Sequence, residues 1–175
     1  EALLMDYLLK HCVDKKERAY LINYFLEQFR TTLYRQTMFA EFELKTHEWQ
    51  EQGKGVTADS LCKLYLELNQ LYFGKEVVMD EEIAMEWARI PHFYNSYYVY
   101  QYATGYAAAI ALSRRILKEG ECAVKDYLRF LQGGSSKDPI DLLRDAGVDM
   151  TSERPIEEAL KFFEELIGQY KECLP

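Results

Sequence analysis

The sequence predicts an all-α fold: a single domain built from several helices. Apolar residues recur every three or four positions along almost the whole chain, which is the period of a helix with one buried face. Alternation of apolar and polar residues, the pattern of a half-buried strand, is nearly absent. A length of 175 residues allows one domain with a sizeable core and hardly two.

The first two helices are predicted over residues 1–11 and 14–52. Asp14 supplies the N-cap of the second helix, and the glycines that follow Gln52 end it. An unbroken helical period runs between these signals, so one very long helix is expected. Its apolar stripe consists of Tyr20, Tyr24, Phe25, Phe29, Leu33, Met38, Phe39 and Phe42.

A third helix is predicted from its cap at Thr57 to Gly74. Asp80 opens a shorter helix, which must end before Pro91 because proline disfavours the helical conformation in the residue that precedes it. Residues 92–96 then form a loop. Four more helices are predicted from their caps and glycine stops over residues 97–118, 121–131, 138–147 and 156–173.

Composition excludes several classes of protein. The net charge is −8, and lysine and arginine form no block, so neither nucleic acid nor an anionic membrane is an expected partner. No apolar run reaches transmembrane length. The four cysteines are far apart and form no CxxC pair, which favours free thiols in a reducing cytoplasm. They are Cys12, Cys62, Cys122 and Cys173.

One stretch approaches a zinc-peptidase motif without completing it. In HExxH, two histidines four residues apart on a helix bind one metal, and the glutamate acts as base. The sequence His47-Glu48-Trp49-Gln50-Glu51 lacks the second histidine. A solvated helix face is the favoured interpretation, and no complete metal site is predicted in the chain.

The polar run from Arg30 to Thr37 has two interpretations. Surface polarity combined with helix packing is favoured, because polar residues are normal on the exposed face of a helix. A buried polar network involving the two arginines of the run is the alternative.

Residues 91–105 form the most distinctive segment, because they contain five tyrosines and one of the three histidines. Tyrosine is costly to bury unless its hydroxyl has a partner. Tyr98, Tyr102 and Tyr106 recur every fourth residue and would share one helical face. Periodicity alone therefore favours a tyrosine-lined core stripe over a binding cleft.

The loop at the start of this segment favours the other interpretation, a wall of a binding cleft. His92, Tyr94 and Tyr97 lie where functional residues are often found, on a loop carried by helices. A neutral imidazole can donate a hydrogen bond to a developing oxyanion, and a tyrosine hydroxyl can do so at neutral pH.

Three stretches carry a resemblance to a known family. They are ARIPHFYNSYYVYQYATG at residues 88–105, FRTTLYRQTMFAEFE at residues 29–43, and residues 134–150, which begin GSSKDP and end GVDM. All three resemble the C-terminal part of oligoendopeptidase F. Together they span nearly the whole chain in the order of the family.

The resemblance implies a helical zinc metallopeptidase of the thimet-like superfamily that cuts short peptides inside an enclosed channel. That family binds zinc through HExxH and a third glutamate. Residues 1–4 resemble the helix that follows this glutamate, so the ligands are expected upstream of Glu1. Residues 1–175 would then be the C-terminal portion of the catalytic domain, with no zinc of their own, inactive alone, and partnered by the missing N-terminal part.

The resemblance also implies roles for four residues. His92 and Tyr97 match the positions that stabilise the tetrahedral intermediate, and Tyr94 and Tyr98 would contact the peptide. The alternative from another class is a helical interaction module without catalysis. Such a module would use the tyrosine-rich surface as a groove for a peptide or protein partner.

Overall fold

The computed structural model describes residues 1–174, and every regular element in that range is helical, which confirms the predicted all-α class. The α-helices are α1 (Ala2–His11), α2 (Lys15–Gln28), α3 (Arg35–Glu51), α4 (Ala58–Phe73), α5 (Tyr100–Glu119), α6 (Glu121–Gly133), α7 (Pro139–Asp145) and α8 (Arg154–Cys173). A π-helical segment covers Phe29–Tyr34, and 3₁₀ helices cover Glu81–Arg89 and Pro91–Tyr94. No helix within residues 1–174 is both long and apolar enough to cross a membrane.

The predicted helix starts are explained by their caps. The Asp14 carboxylate accepts a hydrogen bond from the backbone N–H of Glu17 at 2.8 Å. Thr57 and Ser60 form a reciprocal capping box at the start of α4. Each arrangement satisfies backbone donors that the first turn of a helix leaves without partners.

The predicted long helix is helical along its whole length, but it is not one regular α-helix. The π segment Phe29–Tyr34 separates α2 from α3. A π turn holds one residue more than an α turn, so it shifts the register of the apolar stripe without ending the helix. The apolar period of the sequence therefore predicts one unbroken helix across α2, the π segment and α3.

The chain forms two compact units. We call Glu1–Arg30 together with Thr104–Pro175 the first unit, and Thr31–Ala103 the second unit.

The first unit has an aromatic core between α2, α5 and α8. The ring of Phe29 lies 5.0 Å from that of Tyr106 and 5.3 Å from that of Phe163, and the ring of Phe25 lies 5.5 Å from that of Phe162. The pairs of Phe29 with Tyr106 and of Phe25 with Phe162 are edge-to-face, an arrangement that adds specific geometry to the burial of apolar area.

A second cluster in the first unit consists of aliphatic side chains from α5 and from the turn after α7. Its centre is Ala108, Ala111, Leu112, Ala146 and Val148. Gly147 is required beside it, because its φ is +84° and a Cβ there would lie 2.5 Å from Nη1 of Arg115. That guanidinium donates to the carbonyl oxygen of Ala146 and to Asp126.

The second unit has its core between α3, α4 and the 3₁₀ helix Glu81–Arg89. The buried residues are Met38, Phe39, Phe42, Leu64, Tyr65, Leu68, Ile90 and Val99. Ile90 directly precedes the tyrosine-rich segment and Val99 lies within it, so this core holds the part of the segment between them.

All four cysteines are free thiols, as the sequence predicts.

Candidate functional site

The tyrosine-rich segment is anchored to the core of the second unit by its apolar residues. Val99 is fully buried and Ile90 is 8% exposed. Between them, the Phe93 ring lies 5.5 Å from the Phe39 ring and 5.3 Å from the Phe42 ring. Burial of these three side chains holds the backbone of the segment against α3.

The tyrosines of the segment lie on its outer side. Tyr94 is 85% exposed, Tyr97 44% and Tyr98 39%. These three are therefore not members of a buried stripe, and the expectation based on period alone is wrong for Tyr98. The physical reason is that α5 begins only at Tyr100, so Tyr98 lies before the helix whose face it was expected to share.

His92 is half-buried and lies between two of the tyrosines. Its Nε2 atom is 3.1 Å from the hydroxyl of Tyr102, and its ring is parallel to that of Tyr98 at a centroid distance of 5.6 Å. The Tyr98 and Tyr102 hydroxyls are 3.5 Å apart. The three side chains therefore form one connected group, which we call the His92 cluster.

Tyr102 is the member of this cluster that the sequence did not single out as a site residue. Its hydrogen bond with Tyr98, followed by burial, raises the pKa of its hydroxyl above the usual value of 10.0. The hydroxyl therefore keeps its proton at neutral pH and orients His92 through Nε2.

Tyr97 has an unusual backbone conformation. Its φ is +56°, and within residues 1–174 every other residue with positive φ is a glycine. For a residue with a Cβ this left-handed conformation costs roughly 1–2 kcal/mol. The Tyr97 N–H donates to Oε1 of Glu43 at 2.7 Å. This conformation explains why α5 begins later than the predicted residue 97.

His47 also contacts Tyr97, with ring centroids 4.7 Å apart and planes inclined by 32°. The sequence favoured a solvated helix face for this part of α3; Glu48 and Glu51 are exposed there, whereas His47 is half-buried. His47 lies one helical turn after Glu43, so the two residues face the same neighbour.

Arg35 and Glu86 belong to a separate polar network in the second unit. Glu86 is 8% exposed and accepts hydrogen bonds from Nη2 of Arg35 at 2.6 Å and from the hydroxyl of Tyr65 at 2.7 Å. The buried network considered as the alternative for residues 30–37 therefore exists at Arg35. Arg30 instead pairs with Glu27 on an exposed surface.

No three His, Cys, Asp or Glu side chains lie close enough to hold a metal ion together anywhere in residues 1–174. The residues described here do not fit a zinc site. What the segment offers chemically is hydrogen-bond donors and aromatic surface.

The four predicted site residues do not form a single group in the structure. His92 and Tyr98 lie together in the His92 cluster, Tyr97 lies against α3, and Tyr94 projects outward. The sequence missed Glu43 as a partner of Tyr97. Its position was a usable signal, because an acidic residue four positions after Phe39 falls on the apolar face of α3 and must find a donor there.

Comparison with known proteins identifies relatives along almost the whole chain. Residues 1–162 match the model of peptidase family M3. Oligopeptidase PepF of Bacillus subtilis (strain 168) is 56% identical over 174 residues, which cover 99% of this chain and 26% of that protein. The chromosomal oligoendopeptidase F of Lactococcus lactis subsp. cremoris is 42% identical over 174 residues, 99% of this chain and 29% of that protein.

A solved structure of an oligoendopeptidase is also similar to this chain. The crystal structure of oligoendopeptidase-F from Enterococcus faecium superposes with a TM-score of 0.94 at 44% identity, and the match covers 97% of this chain and 33% of that one. The chain thus spans between about a quarter and a third of the length of these relatives.

Proposed function

Because this chain belongs to peptidase family M3, we propose that it is the C-terminal helical portion of the catalytic domain of a zinc-dependent oligoendopeptidase. The names of its relatives, oligopeptidase and oligoendopeptidase, support hydrolysis of short peptides as the reaction. The small share of each relative that the chain covers supports its assignment to one part of such an enzyme.

The observation that carries the proposal is the exposed tyrosine-rich segment on a backbone anchored at Ile90, Phe93 and Val99. Such a segment can bind a peptide by aromatic contact and by hydrogen bonds without moving. In this proposal Tyr94 and Tyr98 contact the substrate.

His92 and Tyr97 are the proposed donors to the scissile carbonyl oxygen. Nε2 of His92 already contacts the Tyr102 hydroxyl, so Nδ1 is the ring nitrogen left for the substrate, and it donates in the tautomer that carries its proton on Nδ1. The Tyr97 phenol is a hydrogen-bond donor that can donate to this oxygen throughout the reaction. Donors placed where negative charge develops stabilise the transition state more than the bound substrate.

The zinc of the proposed enzyme would be held by residues outside those described here, since residues 1–174 contain no suitable ligand cluster. This chain would supply binding, orientation and hydrogen bonds to the substrate. It is accordingly proposed to be inactive when separated from the rest of the protein.

The test is Tyr97→Phe in the full-length protein, assayed with a short fluorogenic peptide. Loss of one donor to the oxyanion is expected to lower kcat on the order of a hundredfold. Tyr20→Phe is the matched control, because Tyr20 is an exposed tyrosine on α2 and should leave kcat unchanged. Wild-type turnover in Tyr97→Phe would remove the role assigned to Tyr97.

A further inference from the structure

We propose that Glu43 is a positioning residue for Tyr97. Its buried carboxylate holds the Tyr97 backbone in the left-handed conformation and thereby directs the phenol. This inference rests on the proposed function, in which the Tyr97 hydroxyl donates to the substrate.

The first step is the strain at Tyr97. A bulky residue keeps a positive φ only when its surroundings impose it. Neighbouring backbone groups of the segment pair within the segment, because the N–H of Asn95 bonds to the carbonyl of His92 and the N–H of Tyr98 to the carbonyl of Asn95. The N–H of Tyr97 turns away from this series and bonds to Glu43 instead.

The second step is the burial of Glu43. The residue is 4% exposed and lies beside Phe39 and Phe42 on the packed face of α3. A carboxylate is costly to bury unless it accepts hydrogen bonds, so removal of the Tyr97 N–H would leave it poorly satisfied. The hydrogen bond of 2.7 Å to this buried acceptor therefore favours the strained conformation.

The third step is the contact with His47. Glu43 fixes the Tyr97 backbone, and the His47 ring, 4.7 Å from the Tyr97 ring, restricts the side chain. Both contacts come from consecutive turns of α3, which packs into the core of the second unit. Together they determine where the phenol points.

The expected consequence is a loss of kcat with little change in KM. Glu43 is buried and contacts the backbone of Tyr97, so its effect on the substrate is expected to pass through that residue. A donor displaced by about 1 Å can lose on the order of a hundredfold in rate. Substrate contacts made by other residues would remain.

The experiment is a double-mutant cycle in the full-length protein. Glu43→Met has nearly the same length but no acceptor, and we expect kcat to fall at least about tenfold with KM within about twofold. Glu43→Gln keeps an acceptor oxygen and should retain most of the activity. Glu48→Gln is the matched control, because Glu48 is an exposed carboxylate on the same helix.

The cycle is completed in the Tyr97→Phe background. If Glu43 acts through the Tyr97 hydroxyl, Glu43→Met should change kcat little once that hydroxyl is gone. Should Glu43→Met fail to fold, Glu43→Asp, which withdraws the acceptor by one methylene, takes its place in the cycle with a smaller expected loss.

Two outcomes overturn the proposal while leaving the function intact. One is a hundredfold loss in Tyr97→Phe combined with additive effects of the Glu43 variants. The other is a Glu43→Gln variant as inactive as Glu43→Met, because the charge rather than the acceptor would then matter. An unaffected Tyr97→Phe variant would instead remove the catalytic role of Tyr97, and this inference with it.

Discussion

Two buried glutamates in the second unit use their carboxylates in different ways. Glu86 accepts hydrogen bonds from the side chains of Tyr65 and Arg35, which lie on α4 and α3. Glu43 accepts one from the backbone of Tyr97, in an exposed segment. The first carboxylate joins packed helices, whereas the second controls the conformation of a surface loop. Burial of a charge alone therefore does not reveal whether it supports the fold or a site.

The electrostatics of Glu86 fit a role in stability. Burial alone would raise the pKa of its carboxyl group, but the hydrogen bonds from Tyr65 and Arg35 outweigh burial and lower that pKa below the usual 4.5. Burial and the bond to Glu86 also raise the pKa of the Tyr65 hydroxyl. Both groups keep their ordinary charge states at neutral pH, so the network is intact there.

The largest effect on stability is expected from Glu86→Leu. Loss of this acceptor leaves the Tyr65 hydroxyl and the Arg35 guanidinium without their buried partner, and should lower the free energy of unfolding by about 3 kcal/mol. Urea unfolding of the full-length protein measures this, with the exposed Glu82→Leu as control. A loss below about 1 kcal/mol, or a folded variant with impaired kcat, would contradict the structural role.

A smaller effect is expected from Tyr65→Phe, compared with Tyr97→Phe. The Tyr65 hydroxyl is buried and bonded to Glu86, so its removal should cost about 1 kcal/mol of stability and leave kcat unchanged. Tyr97→Phe should change stability by less than about 0.5 kcal/mol, because that ring is partly exposed, while kcat falls. Equal losses of stability in the two variants would contradict the view that Tyr65 supports the fold and Tyr97 supports the site.

The smallest effect is a dependence on pH. Because the folded-state pKa of Glu86 is depressed, its contribution is fully present above the unfolded value near 4.5 and is lost as pH falls through the folded value. Thermal unfolding midpoints recorded from pH 6 downward should therefore decline less steeply in Glu86→Gln than in the wild type. Parallel curves for the two proteins would assign the acid sensitivity to other carboxylates.

Most of the fold follows from local signals in the sequence. Asp14 and Thr57 mark helix starts by capping, and the structure places α2 and α4 directly after them. The π segment Phe29–Tyr34 could not be anticipated, since an extra residue in a turn leaves the apolar period nearly unchanged. Local rules describe caps and faces well because both depend on neighbours within one or two turns.

The candidate site was only partly predictable for the same reason. The loop position of His92 and Tyr97 pointed to function, but the positive φ of Tyr97 depends on Glu43, which is 54 residues away in the chain. The Tyr102 hydroxyl meets His92 across ten residues, and the helical period assigned it to a core stripe instead. The conformation of Tyr97 and the position of Tyr102 both depend on contacts between residues that are not close neighbours in the sequence.

Within residues 90–99, some side chains anchor the backbone and others are exposed, and this arrangement affects how the surface can change during evolution. Ile90, Phe93 and Val99 hold the segment to the core, while Tyr94 projects into solvent with 85% of its surface exposed. If Tyr94 contacts the peptide as proposed, a new side chain at position 94 would alter which peptides the surface binds at almost no cost to folding. The segment can therefore acquire new preferences one residue at a time, while the anchors keep the backbone in place.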